Sequence, residues 1–176
     1  PIKVNVVVMK GINDDELIQL AGITLKKPYH IRFIEYMPFG DANPNCRFSE
    51  KYMSTDQIRA LLESYVPLKK LPREDLDGPA ERYRFEGAKG EIGLISPISH
   101  HVCSSCNRLR LTADGRIRPC LFSDIEVDIK SPIRKGASLG DLRALFLQAI
   151  HAKPKRHNVS VGGQFESRRP MSAIGG

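Results

Sequence analysis

Three of the chain's four cysteines fall in one short stretch, HVCSSCNRLRLTADGRIRPCL at residues 101–121, together with Arg108, Arg110, Arg116 and Arg118. Cys103, Cys106 and Cys120 have the spacing C-x2-C-x13-C. Two thiols three positions apart can converge on one metal centre, and a chain that turns back can deliver the third from another direction. A structural zinc ion usually takes four protein ligands, and His100 or His101 could supply the fourth. A 4Fe-4S cluster can be held by three thiolates on three irons, which leaves the fourth iron free to bind a ligand. The spacing supports both readings. Cys46 has no partner spacing and reads as an ordinary free cysteine.

Arg108 and Arg110 are two residues apart, so on a strand they point the same way, and planar guanidiniums can grip a phosphate or a carbonyl edge. A solvated basic face is the plain alternative. The elements that must position these groups are legible around them. The stretch LRLTADGRIRPCL has the pattern of a hairpin turning at Asp114-Gly115, which would return Cys120 toward the first two thiols. Upstream, IKVNVVVM (2–9) and HIRFIEYM (30–37) have strand composition. Between them Asn13 and Glu16 form a helix-start signal ahead of Leu17, Ala21, Thr24 and Leu25. Strand, helix and strand with short joints predict a βαβ unit and a parallel sheet.

Loop residues from Pro38 to Met53 close that α/β section, and Ser54 with Gln57 predicts a capped helix carrying Ile58, Leu61, Leu62 and Tyr65. RYRFE and EIGLIS read as two short strands separated by Gly87 to Gly90. Ser138 and Asp141 start a last helix bearing Leu142, Leu145, Phe146 and Ala149. The second half is therefore α+β. Beyond Pro154 the residues are rich in glycine and charge and read as a tail.

With 176 residues, 41% of them hydrophobic, the chain can bury a real core, and it has no apolar run long enough to span a membrane. Clustered rather than dispersed cysteines fit a reducing compartment, so a soluble, cytoplasmic protein is expected. The formal charge of +7 favours an anionic partner. Nucleic acid is not the expected one, since aromatic residues make up 7% and Trp is absent. A zinc-stabilised nucleic-acid module is the reading that competes on these residues.

The combination C-x-x-C-N-R-x-R-L-T-x-x-G at 103–115, Cys120-Leu121 and Ile174-Gly175-Gly176 resembles the C-terminal part of the molybdenum cofactor biosynthesis protein A family, the radical-SAM GTP 3′,8-cyclases. IKVNVVVMKGIND and IRFIEYMPFG look like two successive strands of that family's incomplete barrel. The resemblance implies the end of an incomplete (βα) barrel over residues 1–50, an α+β iron-sulfur domain that binds substrate over 51–154, and a flexible tail over 155–176 ending in Gly-Gly. It implies that Cys103, Cys106 and Cys120 hold a 4Fe-4S cluster whose open iron binds the guanine of GTP. Arg108 and Arg110 match the family's basic residues on the substrate, Lys3 and Arg32 resemble further ones, and Met37 falls where the family approaches S-adenosylmethionine. No catalytic residue is assigned by it.

The family's C-x3-C-x2-C motif, which holds a second, SAM-cleaving 4Fe-4S cluster, is absent from this sequence. The chain is accordingly expected to be the C-terminal portion of a larger enzyme and inactive alone. The implied partners are the N-terminal barrel portion, a second copy in a homodimer, and cyclic pyranopterin monophosphate synthase as the downstream enzyme.

Overall fold

The computed structural model describes residues 1–39, 48–73, 78–100, 103–161, 167 and 169–174. These form a mixed α/β structure that divides into two compact units, one built mainly from residues 1–37 and 43–102 and the other mainly from 103–159 and 163–176, with residues 38–42.

The first unit opens with β1 (Lys3–Val8), α1 (Leu17–Lys26) and β2 (His30–Glu35), and β1 and β2 pair in parallel as the βαβ reading expects. Asn13 does not cap α1. Its side-chain amide donates to the Val7 carbonyl (2.9 Å) and its oxygen accepts from the Met9 N–H (2.8 Å), so a 3-10 turn at Asp14–Glu16 leads into the helix instead. A helical turn α2 (Phe48–Lys51) precedes α3 (Thr55–Tyr65). The expected capping box starts α3: the Ser54 N–H donates to Gln57 Oε1 and the Gln57 N–H to Ser54 Oγ. Then come β3 (Leu68–Lys70), β4 (Glu81–Phe85) and β5 (Glu91–Ile95).

The sheet order is β1-β2-β5-β4-β3, with β5 parallel to β2 and antiparallel to β4. The sheet begun by the βαβ unit thus continues through the two strands after α3, a non-local pairing that local composition does not encode.

The two faces of this sheet differ. Ile31, Phe33, Ile92, Leu94, Tyr83 and Phe85 meet Leu17 and Ala21 of α1 and Ile58 and Leu62 of α3 in one buried cluster. Burying each large apolar side chain contributes about 1.5–3 kcal/mol. The opposite face carries the register row Asn5, Arg32, Gly93 and Arg82, next to Lys3, His30 and Glu91. At Gly93 a Cβ would lie 3.0 Å from Cγ of Arg32, so the glycine leaves the space that Arg32 occupies.

In the second unit, β6 (Arg110–Leu111), β7 (Arg116–Arg118) and β8 (Val127–Asp128) form an antiparallel sheet. The expected hairpin is present, with the Gly115 N–H donating to the Thr112 carbonyl (3.0 Å). Gly115 has φ +83°, and a Cβ there would meet Lys130 Cβ at 2.5 Å, so turn and packing both call for glycine. α4 (Lys130–Arg134) is followed by α5 (Leu139–His151), whose Ser138–Asp141 capping box is also as expected. Ile117, Val127, Ile129 and Ala149 make its small core with Leu109 and Leu145. Phe146 differs from the sequence reading, being 44% exposed, because the buried stripe of α5 runs through Leu145 and Ala149. The segment read as a tail contains α6 (Met171–Ile174), where Ile174 is fully buried. Among the described residues no helix is long and apolar enough to cross a membrane.

Candidate functional site

Cys103 opens a 3-10 turn, Cys103–Ser105, and the Cys106 N–H closes back on the Cys103 carbonyl at 3.2 Å. With three residues per turn, positions i and i+3 eclipse, so this local geometry sends both side chains to one side. Cys120 follows β7 after Pro119, and the Arg110↔Arg118 register brings that end of the hairpin alongside the segment leaving Cys106. All three are free, partly buried thiols.

Their electrostatics connect them. Burial pushes the Cys120 thiol up, and the neighbouring Cys103 and Cys106 push it further. Burial acts the same way on Cys106, but the Arg108 backbone N–H and the Lys153 ammonium outweigh it and hold this thiol below the usual range. Lys153, just past α5, donates to Cys106 Sγ (3.3 Å) and to the Arg108 carbonyl (2.7 Å). Sequence reasoning missed Lys153, which sits in no motif; its only signal is a cation at the end of a helix.

Among the described residues no group of three His, Cys, Asp or Glu side chains converges on a metal-ion position. His100 belongs to the first unit, where Nε2 lies 2.8 Å from Asp56 Oδ2, and His101 lies outside the described residues. Cys46 and the terminal Gly175-Gly176 also lie outside them. The donor chemistry nevertheless fits an iron-sulfur group: three soft thiols free of disulfides, one held below its usual pKa, whose mutual repulsion a cationic centre would relieve.

The basic residues sort into two kinds. Arg116, Arg118 and Arg169 pair with Asp114, Asp124 and Glu126. Arg82 and Arg84 pair with Glu91, at 2.9 and 2.8 Å. Arg108 and Arg110, by contrast, have no carboxylate partner among the described residues. Arg110 is half-buried on β6, and burial first, then the Arg108 charge, pull its pKa down. A desolvated guanidinium beside a like charge is stabilised by an incoming anion. In the first unit Lys3 and Arg32 likewise have no carboxylate partner among the described residues, and they line a cleft with His30, Arg82, Glu91 and Gly93. Burial, opposed by Glu91, and the Lys3 and Arg32 charges lower the His30 pKa. Met37, half-buried, follows β2 in the same unit.

A family model described as Molybdenum Cofactor Synthesis C matches residues 29–159. The chain belongs to the Molybdenum Cofactor Synthesis C family. Among similar proteins, the GTP 3′,8-cyclase of Thermodesulfovibrio yellowstonii is 49% identical over 177 residues, covering 100% of this chain and 52% of that protein. That of Heliobacterium modesticaldum is 45% identical over 177 residues, covering 100% of this chain and 54% of the relative. That of Moorella thermoacetica is 44% identical over 176 residues, covering 100% and 53%. The chain spans about half the length of the curated relatives it matches. Within this Molybdenum Cofactor Synthesis C chain, the matched region holds all three clustered cysteines, Arg108, Arg110 and Lys153.

Proposed function

We propose that this chain is the C-terminal part of a GTP 3′,8-cyclase of molybdenum cofactor biosynthesis, and that it binds the guanine nucleotide beside an iron-sulfur cluster. The observation that carries this reading is the pair Arg108 and Arg110, guanidiniums with no carboxylate partner among the described residues, in one unit with three free thiols. Cys103, Cys106 and Cys120 would hold a 4Fe-4S cluster. When bound, that cluster supplies an iron with a position free for a ligand atom of the base.

The chain's own residues do the rest. Arg110, half-buried, offers an anion a charge-assisted contact whose strength grows as water leaves, and Arg108 adds a second charge at the surface. Lys153 ties the Arg108 carbonyl to Cys106 and so holds the first pair of thiols in register with the arginines. Lys3 and Arg32 are further cations for the nucleotide's phosphates in the whole enzyme, and Met37 is the residue on the S-adenosylmethionine side. Fixing the nucleotide is the service such residues render to radical chemistry, because a loosely held substrate radical would find other hydrogens.

In this reading residues 1–50 end an incomplete (βα) barrel, 51–154 form the cluster and substrate domain, and 155–176 are the tail. The SAM-cleaving cluster belongs to the other half of the relatives' length. The product would pass to cyclic pyranopterin monophosphate synthase, and the whole enzyme would be a cytoplasmic homodimer.

Calorimetric titration of the cluster-loaded chain with GTP tests this. Arg110→Ala should weaken binding at least about tenfold, as loss of one charge-assisted contact does. Arg143→Ala, an exposed cation on α5, should leave it unchanged. Equal affinity for GTP and ATP, or equal losses in both variants, would overturn the reading.

A further inference from the structure

Arg118 is the largest fully buried side chain among the described residues, and it is an arginine. Its guanidinium donates to the Cys120 carbonyl (3.3 Å), the Leu121 carbonyl (3.2 Å), Asp124 Oδ1 (3.0 Å), Glu126 Oε1 (3.5 Å) and Ser167 Oγ (3.2 Å). Two carboxylates neutralise the buried charge. An apolar residue would fill this space with less desolvation, so the fork of donors has a use that packing does not explain. It fixes two consecutive carbonyls, those of the third cysteine and its neighbour, and it reaches a residue 49 positions away in the sequence. A lysine, with a point charge, cannot span these acceptors.

The same network has a second clasp. Arg169 reaches Asp114 (2.7 Å) and Glu126 (2.7 Å from Nε to Oε1), and the Arg169 N–H donates to Ser167 Oγ at 3.3 Å. Glu126 is therefore shared by Arg118 and Arg169, with Arg116 further off at 3.9 Å. Displacing Ser167 and Arg169 would strip Arg118 of one acceptor and would free Glu126 from Arg169, loosening the grip on the Cys120 carbonyl.

We propose that Arg118 is a positioning residue that couples Ser167 and Arg169 to Cys120, so that placement of one sets placement of the other. The consequence for a cluster rests on the proposed function, whereas the coupling itself does not.

The test uses the whole chain without added iron. Alkylation by iodoacetamide is followed cysteine by cysteine by mass spectrometry, with Cys103 and Cys106 as internal references. Arg118→Lys and Arg169→Gln should each speed alkylation of Cys120 about tenfold, the scale on which one charge-assisted hydrogen bond shifts a local opening equilibrium. Cys103 and Cys106 should change little, and the double variant should be no faster than Arg118→Lys alone, because the two act through one network. A merely structural role would accelerate all three thiols together, in step with lost thermal stability, and would overturn the proposal; so would unchanged Cys120 reactivity. If Arg118→Lys does not fold, Arg169→Gln alone decides on the same criterion. Absence of iron from the reconstituted parent chain would remove the cluster reading and leave this comparison intact.

Discussion

Glu35, fully buried at the end of β2, gives the sharpest quantitative test of how the first unit is held together. One carboxylate oxygen accepts from the backbone N–H of Thr55 (3.0 Å) and from the Thr55 and Ser99 hydroxyls. The other accepts from the backbone N–H groups of Ile98 (2.8 Å) and Ser99 (3.0 Å). One side chain thus joins the end of β2, the first residue of α3 and the turn after β5. Glu35→Ala leaves three backbone donors without a partner, while the hydroxyls can rotate elsewhere. An orphaned buried donor costs about 1–3 kcal/mol, so with three of them the variant should lose about 3–9 kcal/mol, a large share of an ordinary domain's stability. Glu35→Gln keeps one acceptor and turns an NH2 toward the other donors, so it should lose less. Urea unfolding reads the loss, and hydrogen exchange reads where it falls, with the amides of Thr55, Ile98 and Ser99 losing protection first. A loss under about 1 kcal/mol for Glu35→Ala would refute the reasoning, since the donors would then have found partners the structure does not give them.

Lys153→Ala, which removes the donor to Cys106 Sγ and to the Arg108 carbonyl, should lower the iron retained after reconstitution severalfold, while Lys155→Ala, exposed nearby, should not; metal analysis checks both. β1 is an edge strand with Val4 and Val7 38% and 40% exposed, so the isolated chain should self-associate with concentration in sedimentation experiments, and Val7→Lys should reduce this. Burial alone would raise the Glu91 pKa, but Arg82 and Arg84 outweigh it and depress it, so its stabilising contribution is present above the ordinary carboxylate range and is lost as pH falls through the folded value. His30, depressed chiefly by burial, is protonated more readily in the unfolded chain, so stability should also decline as pH falls below about 6.5. Glu91→Gln should flatten the lower part of a plot of urea midpoint against pH.

Local signals hold in most places where one short segment decides the outcome, Asn13 being the exception, since its side chain turns back to Val7 and Met9 instead of capping α1. Both capping boxes, the βαβ start and the hairpin at Asp114-Gly115 need only neighbouring residues, and each is present. The insertion of β5 between β2 and β4 was not legible, because pairing of distant strands depends on which apolar faces meet. At the site, the thiols stood out by spacing and the C-x-x-C-N-R-x-R motif singled out Arg108 and Arg110, but spacing alone does not separate those two from Arg116 and Arg118 on the same hairpin. Partnering does so: Asp124 and Glu126 neutralise Arg118, and no carboxylate does the same for Arg110 among the described residues. Lys153 was hidden for a related reason, since its partners lie 47 and 45 positions away.

Iron, acid-labile sulfide and zinc should be measured in the chain after anaerobic reconstitution, with Cys120→Ser in parallel and with the absorption and magnetic-resonance spectra recorded before and after GTP. Iron and sulfide in near-equal amounts, lost in Cys120→Ser and spectrally shifted by GTP but not by ATP, is the expected result for a nucleotide-binding cluster. Zinc retained without sulfide, or a cluster indifferent to GTP, would contradict it.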